Sequence, residues 1–270
     1  MNTDDIEILA DKVGVPIRKL SAETMAKVND APQGQKKTSK HKKVVKIVED
    51  LIFKGIFTCD DKKLMNSLSY TYALEVLEEV LQLPEWQRAS LRWEFVGCSN
   101  DNQFYLVGKN VGERNGIPFD IVTTKIEKDV KVVPRGEHVN RVSDLEGTSL
   151  LTDEIKLASL QHLYLRFLLD LGDSGTHNIL VRKDYDDTGR LVAGIDLEEK
   201  RGIKVNELRL DHLFKKVASR KQHRLYQSDV CKIKTLSYGQ LNQQAIERLN
   251  TAGIDMERLQ ENMHLWERLK

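Results

Sequence analysis

Residues 167–181 read Phe167-Leu168-Leu169-Asp170-Leu171-Gly172-Asp173-Ser174-Gly175-Thr176-His177-Asn178-Ile179-Leu180-Val181, and Gly194-Ile195-Asp196-Leu197-Glu198 follows shortly after. Just before them, residues 152–169 carry Ile155, Leu157, Leu160, Leu163, Leu165, Phe167 and Leu168. Apolar residues on more than one side of a helix predict that it is central and buried. The helix ends at a glycine, and a loop bearing Asp173 leads to Asn178 at the head of an apolar strand, residues 178–181. Residues 191–195 return as a second strand after a turn over 184–189, so the hairpin sets Asp196 beside Asn178. A carboxylate and a side-chain carbonyl at one end of a sheet are hard oxygen ligands. They suit Mg²⁺, with phosphate oxygens completing the shell. Asp173 is then placed to orient or deprotonate an incoming hydroxyl.

Upstream of this segment the period of the apolar residues changes twice. Val44, Val45, Ile47, Val48, Leu51 and Ile52 have helical spacing, and residues 70–83 form a second amphipathic helix stopped by Pro84. Alternation with period two then predicts strands at 92–96 and 103–107 around a turn at 97–102, with further strands at 119–126 and 129–133. At the N-terminus, Ile6, Leu9, Ala10 and Val13 make a helical stripe stopped by Gly14-Val15-Pro16, and Ser21 caps a second helix. This pair is a helical hairpin that packs on the main domain or drifts free. Residues 9–15 faintly resemble the first half of a helix-turn-helix. Residues from about 205 onward read as helices.

The expected organisation is a helical arm over 1–30, a basic linker over 31–43, helices with a small antiparallel sheet over 44–150, and a helical lobe with the hairpin over 151–270. That is an α+β plan in two lobes.

Composition narrows the function classes. The chain has 270 residues, with 42 basic and 41 acidic side chains for a formal charge of +1. Such cancellation excludes a uniformly basic surface. It leaves two basic clusters, Lys36–Lys46 and Lys215–Lys234, as candidate contacts for a polyanion or nucleic acid. No stretch approaches the roughly 18 apolar residues of a membrane span. The acidic start lacks the order of a signal peptide. Cys59, Cys98 and Cys231 form neither a disulfide framework nor a metal pair, so an intracellular compartment, cytoplasmic or nuclear, is expected. His138, His162, His212 and His264 have no zinc spacing, and neither a Walker loop nor a G-x-S-x-G motif occurs.

The spacing Asp173-x-x-x-x-Asn178, then a hairpin and Asp196, resembles the catalytic and metal-binding loops of the protein-kinase-like superfamily. Leu171 to Leu180 resembles the loop of phosphatidylinositol kinases. Gly189 to Glu198 is similar to the G-R-x-x-G-x-I-D-x-E hairpin of aminoglycoside and choline phosphotransferases. The resemblance covers about 45 residues. It implies a two-lobed kinase-like fold and an ATP- and magnesium-dependent phosphotransferase of unknown acceptor. It makes Asp173 the catalytic base and Asn178 and Asp196 the magnesium ligands, with Glu198 near a second metal position. Leu171 and Gly175 stand where members of these families carry histidine, and Leu197-Glu198 replaces Phe-Gly.

A kinase also needs a lysine on a strand for the ATP phosphates. Lys125 closes the candidate strand Ile121-Val122-Thr123-Thr124-Lys125, and Lys109 competes with it. The turn containing Ser99 is a candidate phosphate cover, although it is not a G-x-G-x-x-G loop. The interval from Lys125 to Asp173 is short for a full kinase lobe. The helix carrying a partner glutamate is therefore expected upstream, at residues 70–83, with Glu78 or Glu79 in that role. The rival reading is a catalytically inactive kinase-like scaffold that holds a protein or nucleic-acid partner through its lysine-rich segments.

Overall fold

A hairpin, not a helix, occupies residues 44–57. β2 (Val44–Val48) pairs antiparallel with β3 (Leu51–Phe57), Val48 opposite Leu51, so Glu49 and Asp50 alone make the turn. The apolar spacing fits a helix, but Val44, Val45, Ile47, Val48 and Ile52 are β-branched. Such side chains are stiff on a helix and pack well on a pleated surface. Glu49 turns the chain at φ 58 without a glycine or asparagine to mark the place.

The structure is a computed structural model. It describes residues 3–31, 44–58, 61–99, 103–109, 111, 152–172, 178–182, 189–197 and 229–269. Within these the protein is an α+β fold. A five-stranded sheet has the order β1-β4-β5-β3-β2, where β1 is Ile17–Lys19, β4 Phe95–Cys98 and β5 Phe104–Lys109. All neighbours are antiparallel except β1 and β4, which run parallel, so the sheet is mixed where an antiparallel one was expected. The expected strands at 119–126 and 129–133 lie outside the described residues.

Both expected N-terminal helices form. These are α1 (Thr3–Lys12) and α2 (Ala22–Asp30), the latter capped by the Ser21 side chain. The segment between them is β1, so this part of the chain is woven into the sheet. Leu20 packs so closely on Gly97 that a Cβ there would come within 2.9 Å of it.

The sheet is covered on both faces. On one, α2 lays Val28 and Met25 over Phe53, Phe95, Tyr105 and Val107. On the other, Ile6 and Ala10 of α1, with Val13 just past its end, meet Leu64 and Leu68 of α3 (Lys62–Val80), together with Val96, Phe104 and Leu106. That second core continues into Leu180 and Ala193 of a separate two-stranded hairpin, β6 (Ile179–Val181) and β7 (Val192–Gly194).

The remaining core is helical. α4 (Asp153–Leu168), capped by Thr152, is buried along nearly its whole length against α3, α5 (Gln243–Thr251) and α6 (Met256–Leu269). Polar groups buried on such a helix must find partners. Gln161 exchanges two hydrogen bonds with the Lys234 backbone, and the Tyr164 hydroxyl accepts from Leu236 N at 2.8 Å. Asn262 of α6 donates to the Phe167 and Leu168 carbonyls. No helix among the described residues is long and apolar enough to cross a membrane.

Candidate functional site

The β6–β7 hairpin does bring Asn178 and Asp196 together. Ile179 pairs with Gly194, and the Ile195 amide donates to the Asn178 carbonyl at 2.9 Å, so the two residues flank one end of the hairpin. Asn178 is buried, whereas the Asp196 side chain keeps 34% of its surface exposed. Asp196 has φ 57, a left-handed conformation that non-glycine residues seldom adopt.

Among the described residues, Lys54 meets the Asp196 carboxylate. It projects from the middle of β3 and donates to Asp196 Oδ1 at 2.6 Å across 142 residues of chain, its own side chain only 7% exposed. The pleat explains the direction. Phe53 faces α2, so its neighbour Lys54 faces the α3 side, where the hairpin lies. An ammonium so deeply placed is rarely left without an anionic partner.

Lys54 does not stand out in the sequence, because the apolar residues of 44–52 ahead of it have helical spacing. The available signal was a single lysine inside an otherwise apolar run, Leu51-Ile52-Phe53-Lys54-Gly55-Ile56-Phe57. Gly55 belongs to the same arrangement, since a Cβ there would lie 2.8 Å from the Phe104 carbonyl oxygen.

Of the other expected site residues, Lys109 and Ser99 are described. Lys109 is exposed at the end of β5, opposite Leu51, whereas Lys54 lies opposite Leu106. Three residues of strand separate the two positions by ~10 Å, and the pleat turns Lys109 to the opposite face. Ser99 closes the β4–β5 turn, with its amide donating to Gln103 O at 2.9 Å and its hydroxyl accepting from Gln103 N at 3.3 Å. Asp173, Lys125 and Glu198 lie outside the described residues.

Neither expected glutamate is paired with Lys54. Glu79 pairs with Arg248 of α5. Glu78 is buried and accepts from the Ala89 and Ser90 amides at 2.7 and 2.9 Å and from the Ser90 hydroxyl at 2.6 Å. Burial pushes its carboxyl above the usual range, while Ser90, Ala89 and Arg190 pull it back. The network joins α3 to the connector ahead of β4. That connector is tied in turn to the hairpin, because Gly194 N donates to Ala89 O at 2.8 Å and Arg190 bonds Ser90 O and Glu85.

From below, α4 sets the hairpin. Arg166, fully buried, donates through Nη1 to Ile195 O at 2.8 Å and through Nη2 to Gly172 O at 3.0 Å and Asp196 O at 3.1 Å. One helical turn earlier the His162 ring lies against Gly194, where a Cβ would stand 2.0 Å from Nε2. Burial, then the neighbouring Arg166 charge, holds the His162 imidazole well below its usual pKa, so it is neutral at pH 7.

The described lysines of the two basic clusters have local partners. Lys46 donates to the Asn29 carbonyl, Lys232 pairs with Asp229, and Lys234 donates to the Leu81 and Gln82 carbonyls beyond the end of α3. A cation on terminal helix carbonyls is an ordinary capping contact.

No protein-family model matches the chain, and no curated protein matches it in sequence. The site therefore stands on its geometry. A buried lysine and a carboxylate meet where a sheet, a hairpin and a buried helix converge, and the buried Asn178 flanks the same end of the hairpin. The carboxylate and carboxamide oxygens fit a hard divalent cation, and the lysine fits an anion such as phosphate.

Proposed function

We propose that the protein is an ATP- and magnesium-dependent phosphotransferase of the atypical kinase-like type. The observation that carries this reading is the 2.6 Å Lys54–Asp196 pair, which joins a lysine on the sheet to the carboxylate after the hairpin. Order along the chain supports it. Strand lysine, helix α3, strands β4 and β5, buried helix α4, the Asp173 loop, Asn178 and Asp196 succeed one another as strand, helix and loops do in that superfamily. Lys54 takes the role assigned from sequence to Lys125.

In this reading Lys54 neutralises phosphate charge from the sheet side. Asn178 and Asp196 would hold magnesium, which when bound supplies charge neutralisation at the transferring phosphoryl group. Asp173 orients the acceptor hydroxyl and receives its proton. Most of the rate then comes from positioning and fixed charge.

The test is thermal stability under ATP titration with and without magnesium. Saturation at about 100 times the dissociation constant adds about 2.7 kcal/mol. The gain should require magnesium, should vanish in Asp196→Ala, and should depend on Lys54→Met but not on Lys125→Met. A magnesium-independent gain, or one unchanged in Asp196→Ala, refutes the reading.

One observation favours the rival, an inactive kinase-like scaffold. The tight turn before Lys54 consists of two acidic residues, Glu49 and Asp50, which would repel phosphate. That reading is checked by binding to heparin across salt concentration, where a flat response removes an electrostatic polyanion partner.

A further inference from the structure

We propose that Arg166 is a positioning residue that sets the backbone of Asp196, and with it the aim of the Asp196 carboxylate at Lys54. The proposal rests on the phosphotransfer reading only for what the site is used for.

The two ends of Asp196 are held by two cations from opposite sides. Lys54, on the sheet, takes the carboxylate at 2.6 Å. Arg166, on α4, takes the main-chain carbonyl at 3.1 Å and the preceding Ile195 carbonyl at 2.8 Å. Between these anchors Asp196 sits at φ 57. Sparsely populated backbone conformations persist where the surroundings over-determine them, and they concentrate at functional sites.

The same guanidinium donates to Gly172 O at 3.0 Å, the residue next to Asp173 in the chain. Arg166 thus fastens two segments that are distant in sequence to one rigid helix. A planar fork with five donors can serve three carbonyls at once, whereas an ammonium on a flexible stem cannot hold that geometry. Its position is well anchored, because α4 is packed along its length and His162, one turn away, seats Gly194 of the same hairpin.

The test is a double-mutant cycle of Lys54→Met and Asp196→Asn by urea unfolding, run with Arg166 and again with Arg166→Lys. A charge-assisted hydrogen bond as deep as this one should couple the two sites by about tenfold or more in the unfolding constant. With Arg166→Lys the coupling should fall to within about twofold of none, because the lysine keeps the charge but loses the fork. Full coupling in Arg166→Lys, whatever stability that variant has lost, overturns the proposal and leaves Arg166 an ordinary core residue.

Where Arg166→Lys does not fold, the cycle is run in Arg166→Gln with the same expectation, and should both fail to fold, the ¹⁵Nη resonances of Arg166 are compared between the unaltered protein and Lys54→Met. They should shift if Asp196 links the two cations, and unmoved resonances overturn the proposal. Magnesium–ATP affinity is the last measurement. Equal affinity in Arg166→Lys and the unaltered protein overturns the positioning role. An unaltered protein that binds no magnesium–ATP refutes the phosphotransfer reading, and the coupling result still decides the role of Arg166.

Discussion

A single methyl group added at Gly194 should be among the most damaging small changes in this protein. Gly194 ends β7, two residues before Asp196, and a Cβ there would lie 2.0 Å from His162 Nε2 and 2.2 Å from Cε1. Contacts below 3.0 Å force something to move. The ring is only 1% exposed, on a helix packed along its length. The hairpin cannot swing away freely either, since Gly194 N is bonded to Ala89 O at 2.8 Å.

Overpacking a core costs about 1–3 kcal/mol and sometimes more. Gly194→Ala belongs at the upper end, about 3 kcal/mol, or a fall in Tm of about 6 °C for a chain of this length. His162→Ala alone should cost about 2 kcal/mol as a partly collapsed cavity. Combined, the new methyl occupies space the ring has vacated. The double variant should then be less damaged than the sum of the singles by at least about 2 kcal/mol. Urea unfolding of the four proteins decides. A Gly194→Ala variant within about 1 kcal/mol of the unaltered protein, or additive single effects, would refute the packing argument.

Two further outcomes follow from buried titratable groups. His162 is held neutral, its pKa depressed from 6.5 by burial and then by Arg166, so below that value the unfolded chain binds the extra proton and the folded chain does not. Stability is therefore complete above about pH 6.5 and falls by about 1.4 kcal/mol per unit as pH drops, until the folded imidazole also protonates. His162→Asn should remove that slope, and an unchanged pH profile in urea would refute it. Glu78→Ala should cost about 3 kcal/mol because three buried donors lose their acceptor, while Glu78→Gln, which can still accept from the two amides, should cost about 1 kcal/mol. A Glu78→Ala loss no larger than that of Glu78→Gln, measured by urea unfolding, would refute the assignment of the loss to unpaired amides.

The site was half legible in the sequence. Asn178 and Asp196 could be placed together because only a hairpin separates them, and alternation with turn residues specifies a hairpin locally. Lys54 could not be placed with them. It sits on a strand whose β-branched residues also satisfy a helical period, and its orientation toward Asp196 depends on which face of β3 the α2 helix covers. Lys125, which the strand pattern Ile121-Val122-Thr123-Thr124-Lys125 favours, lies outside the described residues. Pleat parity sets Lys109 on the opposite face of the sheet from Lys54, a property of register that no linear reading supplies.

What the sequence determined by itself was local. The apolar content of residues 152–169, the Ser21 cap, the β4–β5 turn and the β6–β7 hairpin all follow from residues a few positions apart, whose preferences act before any distant contact forms. Tertiary structure alone decided the pairings that cost long loop closure, namely β1 beside β4 and Lys54 on Asp196. It also decided that a fully buried arginine would hold two separate loops. Such a charge is tolerated only where carbonyls from distant segments converge on it, and that convergence belongs to the packed fold.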